Sequence, residues 1–142
     1  MSSVFISGNI PSSKNSKING KFFSKTVMKF LRSHGIQSFS SSKKFVKEYK
    51  TIPMTFPVEE LTQLFKDKEF PLIVGMHFIR GTRHKCDFGN MQQILADLFT
   101  AFDIIPDDNM DYFFAVPFPI EGKYYSYDKE TPGVIIKILK HD

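Results

Sequence analysis

The chain lacks the features of a secreted or membrane-embedded protein. Its single cysteine, Cys86, excludes an internal disulfide and favours a reducing, cytoplasmic compartment. The longest apolar run, residues 70–79, is too short to span a bilayer and is interrupted by His77. The first residues after Met1 contain neither the basic start nor the sustained apolar segment of a secretion signal. We therefore predict a cytoplasmic protein with no membrane contact.

Acidic residues are absent from the first third of the chain. Residues 1–47 carry nine lysines and arginines and no Asp or Glu, whereas the remainder carries ten basic and fifteen acidic residues. A basic segment followed by an acidic one suits a protein that holds a polyanion with one part and a metal ion with the other. The alternative is a lysine-rich solvated surface. The complete lack of acids favours nucleic acid as the partner.

The pattern of apolar residues predicts one α/β (α+β) domain over residues 1–142, with a small mixed sheet packed by helices. Apolar runs and alternation predict strands, and helical spacing with capping residues predicts helices. The predicted strands are 4–10, 70–80, 110–116 and 133–139, and the predicted helices are 25–34, 43–50, 56–68 and 88–102. A further segment, residues 123–129, is predicted to be part of a hairpin.

The stretch from residue 87 to residue 111 carries the residue types that hold hard cations. Its polar side chains of interest are Asp87, Asn90, Gln93, Asp97, Asp107 and Asp108. The middle three recur at i, i+3 and i+7, which places them on one stripe of a helix, and a turn then returns the last two carboxylates towards it. Mg²⁺ takes carboxylate oxygens from separated positions and leaves room for water and phosphate. The stretch therefore predicts a metal-dependent site that cleaves phosphodiesters.

Each of these residues also has a simpler structural interpretation. Asp87 can cap the helix that follows it, and Asp107 and Asp108 after a proline can be ordinary turn residues. His84 and Cys86 suggest zinc or a thiol nucleophile, but too few further ligands are present, so we favour a plain loop histidine and a buried thiol.

A tyrosine-rich segment near the end of the chain has two interpretations. Tyr124, Tyr125 and Tyr127 lie among lysines and can stack on unpaired bases. Such a stretch is more often a half-buried strand, and this is the interpretation we favour. The chain has no glycine-rich phosphate loop that would indicate a nucleotide as a small-molecule substrate.

The acidic stretch resembles the core motif of RusA-type Holliday junction resolvases, the crossover junction endodeoxyribonucleases. That motif runs Asp-x-Asp-Asn, three residues to a Lys, four more to an Asp, and a turn that ends Asp-Asp. Here the corresponding residues are Asp87-x-x-Asn90, then Asp97, then Ile105-x-Asp107-Asp108, with no gap in the spacing.

The two ends of the chain resemble the same family. The segment Gly8-x-x-Pro11-x-Ser13-Lys14-Asn15 is similar to the family's opening strand and Pro-Ser-Asn loop. The closing strand from Pro132 is similar to its last strand. The resemblance covers nearly the whole chain in the same order, and residues 36–68 match least.

The resemblance implies a homodimeric endonuclease of phage or prophage origin, acting in the bacterial cytoplasm in DNA recombination and repair. It would use Mg²⁺, or Mn²⁺, to nick four-way DNA junctions symmetrically on two strands, with recognition by shape more than by base sequence. Asp87 and Asp108 would be catalytic metal ligands, together with the neighbouring Asp107, and Asn90, Gln93 and Asp97 would support them. The predicted DNA-binding residues are Lys14, Asn15, Lys17, Lys21, Lys25, Arg83 and Lys85.

The chain departs from the family motif at two positions. The motif's second aspartate is Gly89 here, which removes one metal-binding carboxylate. The motif's lysine is Gln93, which can donate a hydrogen bond to an oxygen but cannot neutralise its charge.

These departures leave three hypotheses open. In the first, Asp107 or Asp97 supplies the lost oxygen and Lys85 or Arg83 the lost charge, so that cleavage is retained. In the second, the chain is a RusA-like protein that binds DNA with a weakened or inactive site. In the third, it is an unrelated α/β interaction module whose acidic residues are caps and turns.

Overall fold

The computed structural model describes residues 2–12, 17–18, 22–35 and 55–139. Within these ranges the chain forms a small mixed α/β domain with a five-stranded sheet, a two-stranded sheet and three helices. The elements in chain order are β1 (Val4–Ser7), β2 (Lys17–Ile18), β3 (Phe22–Phe23), α1 (Lys25–Arg32), α2 (Val58–Phe65), β4 (Leu72–Arg80), α3 (Phe88–Ala101), β5 (Phe113–Pro117), β6 (Tyr125–Tyr127) and β7 (Gly133–Leu139).

Strand β4 is the centre of the larger sheet, because it is paired along both edges. On one edge β7 runs antiparallel to residues 73–79, and β1 extends the sheet beyond β7. On the other edge β5 runs parallel to residues 72–76, and β6 runs parallel to residues 78–80. Val74, Met76 and Phe78 on one face of β4 are at most 2% exposed. Residues on both faces of β4 are largely buried, and such a strand is expected to be apolar over most of its length; the polar residues of β4 are His77 and Arg80.

Phenylalanine rings connect the helices to that covered face. Phe99 of α3 packs edge to face against Phe65 of α2 and Phe113 of β5, with ring centroids 5.6 Å and 6.3 Å apart. Phe88 at the start of α3 packs edge to face on Phe78 of β4 at 5.7 Å. These contacts hold α3 against the sheet, so the first turn of this helix has a definite position relative to the end of β4.

Several predicted elements are confirmed by the structure. Strand 133–139 has the predicted bounds, and helix 88–102 and strand 70–80 differ from α3 and β4 by one or two residues. Helix α1 starts where the sequence predicts, since the Ser24 side chain accepts a hydrogen bond from the Val27 N–H.

Other predicted bounds are wrong at places where the backbone turns. The predicted strand 4–10 ends at Ser7, because Gly8 has a φ of +101° that leaves the extended conformation. The predicted helix 56–68 ends at Phe65, ahead of Asp67 with a φ of 58°. The predicted strand 110–116 begins three residues later, at Phe113. The predicted helix 43–50 lies outside the described residues.

The predicted hairpin in residues 123–129 is confirmed only at Lys123, which forms an antiparallel bridge with Ile120 across a two-residue turn. Strand β6 instead continues the edge that β5 begins, and it pairs parallel to β4 with Tyr125 opposite Phe78 and Tyr127 opposite Arg80. The predicted strand is confirmed over residues 125–127, but its tyrosines are more exposed than predicted, since Tyr125 is 60% exposed. None of the described helices has the length and apolar character needed to cross a membrane.

His34, at the end of the turn after α1, is a buried titratable group that joins three parts of the fold. It is 2% exposed, and its ring nitrogens lie 2.9 Å from the Ser7 carbonyl oxygen and 2.9 Å from Thr55 Oγ1. Burial lowers the pKa of His34 below its ordinary value of 6.5, although its hydrogen bonds to Ser7 and Thr55 oppose this shift.

We expect the free energy of unfolding to decrease as the pH falls below about 6.5, because the unfolded chain then takes up a proton that folded His34 does not. At pH values above the pKa of the unfolded state, His34 is neutral in both states and the free energy of unfolding is not reduced by its protonation. Urea denaturation at pH 7.5 and 5.5 measures it, and His34→Gln should show a smaller difference between the two pH values. His84→Gln, which changes an exposed histidine, is the matched control. An unchanged pH dependence in His34→Gln would contradict the assignment.

Candidate functional site

Gln93 lies between two carboxylates of the acidic stretch. Its Nε2 donates hydrogen bonds to Asp97 Oδ1 at 3.1 Å and to Asp108 Oδ2 at 2.8 Å. The first contact joins residues one turn apart on α3, as the predicted stripe requires. The second joins residues that are fifteen positions apart in the chain. The predicted return of the turn to the helix is therefore observed for Asp108.

The turn after α3 returns because it is held in the core. Asp103 has a φ of 59°, which redirects the chain after the last helical turn. Ile105 is 1% exposed and belongs to the main hydrophobic cluster, so the turn packs against the domain. Asp108 is consequently presented to α3 by a buried anchor three residues earlier.

Asp87 is engaged as the N-cap of α3. Its backbone is extended, and its Oδ1 accepts a hydrogen bond of 2.8 Å from the Gly89 N–H. The carboxylate thus lies at the positive end of the helix dipole, where a negative charge is favourable. The predicted capping role of Asp87 is therefore confirmed, and this contact uses one of its two carboxylate oxygens.

Asp107 serves mainly to shape the turn. Its Oδ1 accepts from the Asp108 N–H at 2.8 Å, and its Oδ2 accepts from Asn109 Nδ2 at 3.1 Å. The hydrogen bond from the Asp108 backbone is the main cause that lowers the pKa of Asp107. Both of its carboxylate oxygens accept hydrogen bonds within the turn. Asp107 therefore orients the Asp108 backbone, and it is a weaker candidate for a metal ligand than predicted.

Gly89, Gln93 and Asp108 line one surface groove of about 340 Å³, which we call the acidic groove. Asp87 borders it, since its Oδ1 lies 3.1 Å from the place where a Cβ on Gly89 would be. Among the described residues, no three of His, Cys, Asp and Glu come together as a metal-binding group. Mg²⁺ commonly binds through one or two carboxylates and several waters. Asp87 and Asp108 would supply the two carboxylates of such a water-rich site, and two carboxylates are too few for a closed protein cage.

The N-terminal loop meets α3 beside this groove. Asn90 Nδ2 donates to the Ser12 carbonyl oxygen at 3.3 Å, so the predicted supporting residue links the loop to the helix. Arg80, the last residue of β4, is 5% exposed and donates from Nη1 to the Ile10 carbonyl oxygen and to Met91 S. Arg80 was not predicted from the sequence to take part in the site. Its position, as a charged residue at the end of a buried strand, could have indicated a structural role.

The predicted DNA-binding residues fall into two groups. Lys14, Asn15 and Lys21 lie outside the described residues, and Lys17 is described only as a member of β2. Lys25, Arg83 and Lys85 are exposed. Among these, Arg83 has its guanidinium carbon 4.0 Å from the ring centroid of Tyr127.

Comparison with known proteins finds no matching family model, no similar curated protein and no similar solved structure. The functional argument therefore depends on the side chains themselves and on the motif that they resemble.

We expect Asp87→Ala to lower the free energy of unfolding by about 0.5–2 kcal/mol, because the first turn of α3 loses its side-chain cap. Asp87→Asn should cost much less, since Asn caps helices about as well as Asp. Urea denaturation measures both, with Asp111→Ala as the control at an exposed carboxylate. Equal losses in the Ala and Asn variants would show that the charge, and not the cap, is what stabilises the helix.

Proposed function

We propose that this chain is a RusA-like, structure-specific endodeoxyribonuclease that nicks branched DNA, four-way junctions in particular, as a homodimer that depends on Mg²⁺ or Mn²⁺. The observation that carries the proposal is the hydrogen bond between Gln93 and Asp108. This hydrogen bond holds Asp108, at the end of the motif, against the helix that Asp87 begins. Asp87 and Asp108 can serve the same cation only if the chain folds back in this way.

The residues of the acidic groove have distinct roles in this proposal. Asp87 and Asp108 hold the cation from opposite ends of the motif, and Gln93 orients Asp108 by donating to Oδ2. Asp107 positions the backbone of Asp108, and Asn90 attaches the N-terminal loop beside the groove. A bound Mg²⁺ would activate water and offset the negative charge that builds up on the scissile phosphate. The exposed basic residues would contact the DNA backbone.

A second candidate function is binding of branched DNA without cleavage. Two observations favour it: Gly89 brings no carboxylate into the acidic groove, and Gln93 is neutral where the family motif has a lysine. Gln93 Nε2 is also already occupied by Asp97 and Asp108, so it does not face the phosphate in this arrangement. DNA binding requires neither of the missing groups, since the basic residues supply it.

We expect the purified protein to make paired nicks in a labelled synthetic four-way junction with Mg²⁺ or Mn²⁺ and none with EDTA. Asp87→Asn and Asp108→Asn should each reduce the rate by about 100-fold or more, because each removes a ligand charge. Asp87→Asn retains the helix cap, so a loss of activity is not a loss of folding. Asp111→Asn is the control.

The other outcomes separate the remaining hypotheses. Full activity of Asp87→Asn would overturn the site. Salt-sensitive junction binding without any nick would favour the second candidate. If the protein shows no junction binding and no affinity for Mg²⁺, the third hypothesis, an unrelated interaction module, is favoured.

We expect Gly89→Asp to tighten Mg²⁺ or Mn²⁺ binding by roughly tenfold, because it adds a carboxylate to the acidic groove near Asp108. Among the described residues, a Cβ at this position would come within 4 Å only of Asp87 Oδ1, at 3.1 Å, and a side-chain oxygen can move by the small amount required. Isothermal titration calorimetry measures the affinity. Gly89→Asn is the matched control without the charge, and equal affinities in the two variants would contradict the placement of the site.

A further inference from the structure

A second groove lies between the loop after β4 and strand β6. It has a volume of about 460 Å³ and shares Phe88 with the acidic groove. Phe78 and Met91 contribute to its apolar part, and both are buried in the core. Because its base belongs to the core, the groove is a stable feature of the fold. We call it the aromatic groove.

Two exposed tyrosines form one wall of the aromatic groove. Tyr124 and Tyr125 are each 60% exposed, although aromatic rings normally contribute to burial. The register of β6 explains the exposure of Tyr125, because side chains alternate along a strand, whereas Tyr124 precedes the strand. Ser126 turns towards the sheet, where its Oγ lies 2.7 Å from His77 Nε2, and Tyr125 and Tyr127 therefore point away from that side. The pairing of β6 with β4 thus holds the Tyr125 ring where another molecule can stack on it, and Tyr124 lies next to it in the chain.

The opposite wall is basic. Arg83, His84 and Lys85 line it, and none of the residues that line the aromatic groove is acidic. Arg83 also lies over the ring of Tyr127 at 4.0 Å, so cation and aromatic ring are already arranged face to face at this edge. A ligand that satisfies both walls has flat aromatic rings and negative charge.

We propose that the aromatic groove binds unpaired nucleotides of single-stranded DNA. Bases stack on Tyr124 and Tyr125, while Arg83 and Lys85 contact the phosphates. Every base has a π face, so such stacking needs no particular sequence, and a duplex cannot use it because its base faces are already covered. Because both grooves share Phe88, a strand that leaves the aromatic groove there meets the acidic groove.

The role of this groove in cleavage rests on the proposed action on branched DNA, where unpaired nucleotides are found at the branch. The binding itself does not need cleavage. Binding in the aromatic groove favours strands that are unpaired next to the acidic groove. The proposed enzyme would therefore prefer branched DNA to continuous duplex DNA.

The first test is fluorescence anisotropy with a labelled thymidine oligonucleotide of about twelve nucleotides, in EDTA, against a duplex of the same length. We expect the single strand to bind more tightly than the duplex. Replacing Tyr124 and Tyr125 together by Leu should weaken single-strand binding by about 5- to 100-fold, whereas replacing both by Phe should preserve it. Phe70→Leu is the matched control, because Phe70 is 49% exposed and does not line the aromatic groove.

Two results would overturn the proposal: equal affinity for the single strand and the duplex, or leucine variants that bind the single strand like the unmodified protein. The tyrosines are exposed, so the leucine variants are expected to fold, and circular dichroism checks this. Loss of single-strand binding in the leucine variants with no junction nicking by the unmodified protein would contradict the proposed function alone. Junction nicking with normal single-strand binding in the leucine variants would contradict the aromatic groove alone.

Discussion

The pairing of β4 along both edges is the constraint on which the rest of the structure depends. Its covered face anchors α3 through the contact of Phe78 with Phe88, and its last residue, Arg80, ties the N-terminal segment to the domain through Ile10. The loop that follows Arg80 carries the basic residues of the aromatic groove, and Asp87 comes directly after that loop. Both candidate grooves therefore lie where this central strand ends, with the shared ring of Phe88 between the functional side chains.

The acidic groove is organised by a neutral side chain. A lysine at the position of Gln93 would place a positive charge near Asp97 and Asp108, whereas the glutamine amide holds both carboxylates without neutralising either. The arrangement orients Asp108 but leaves its charge available to a cation. Gly89 has the complementary effect, because the groove is open where the motif would place a third carboxylate. The two departures from the motif that the chain resembles would thus act on the same proposed cation site.

Local sequence signals predicted the parts of this site that local contacts determine. The spacing of Gln93 and Asp97 depends only on the helical repeat, and the caps at Ser24 and Asp87 depend on neighbouring N–H groups. These features were predictable because their partners lie within four residues. The use of Asp107 by the turn was also open to prediction, since an aspartate that bonds its neighbouring backbone is a common turn device.

The sequence by itself determined that the chain is an α/β protein with a basic first third, a capped amphipathic helix, predicted at 88–102, and a carboxylate-rich turn after it. Only the tertiary structure decided that Asp108, and not Asp107, contacts Gln93, and that β6 pairs parallel to β4 and exposes its tyrosines. The burial of Arg80 and His34 was likewise decided by packing. The physical reason is that periodicity and capping are set by residues a few positions apart, whereas strand partners and burial depend on contacts between residues far apart in the chain.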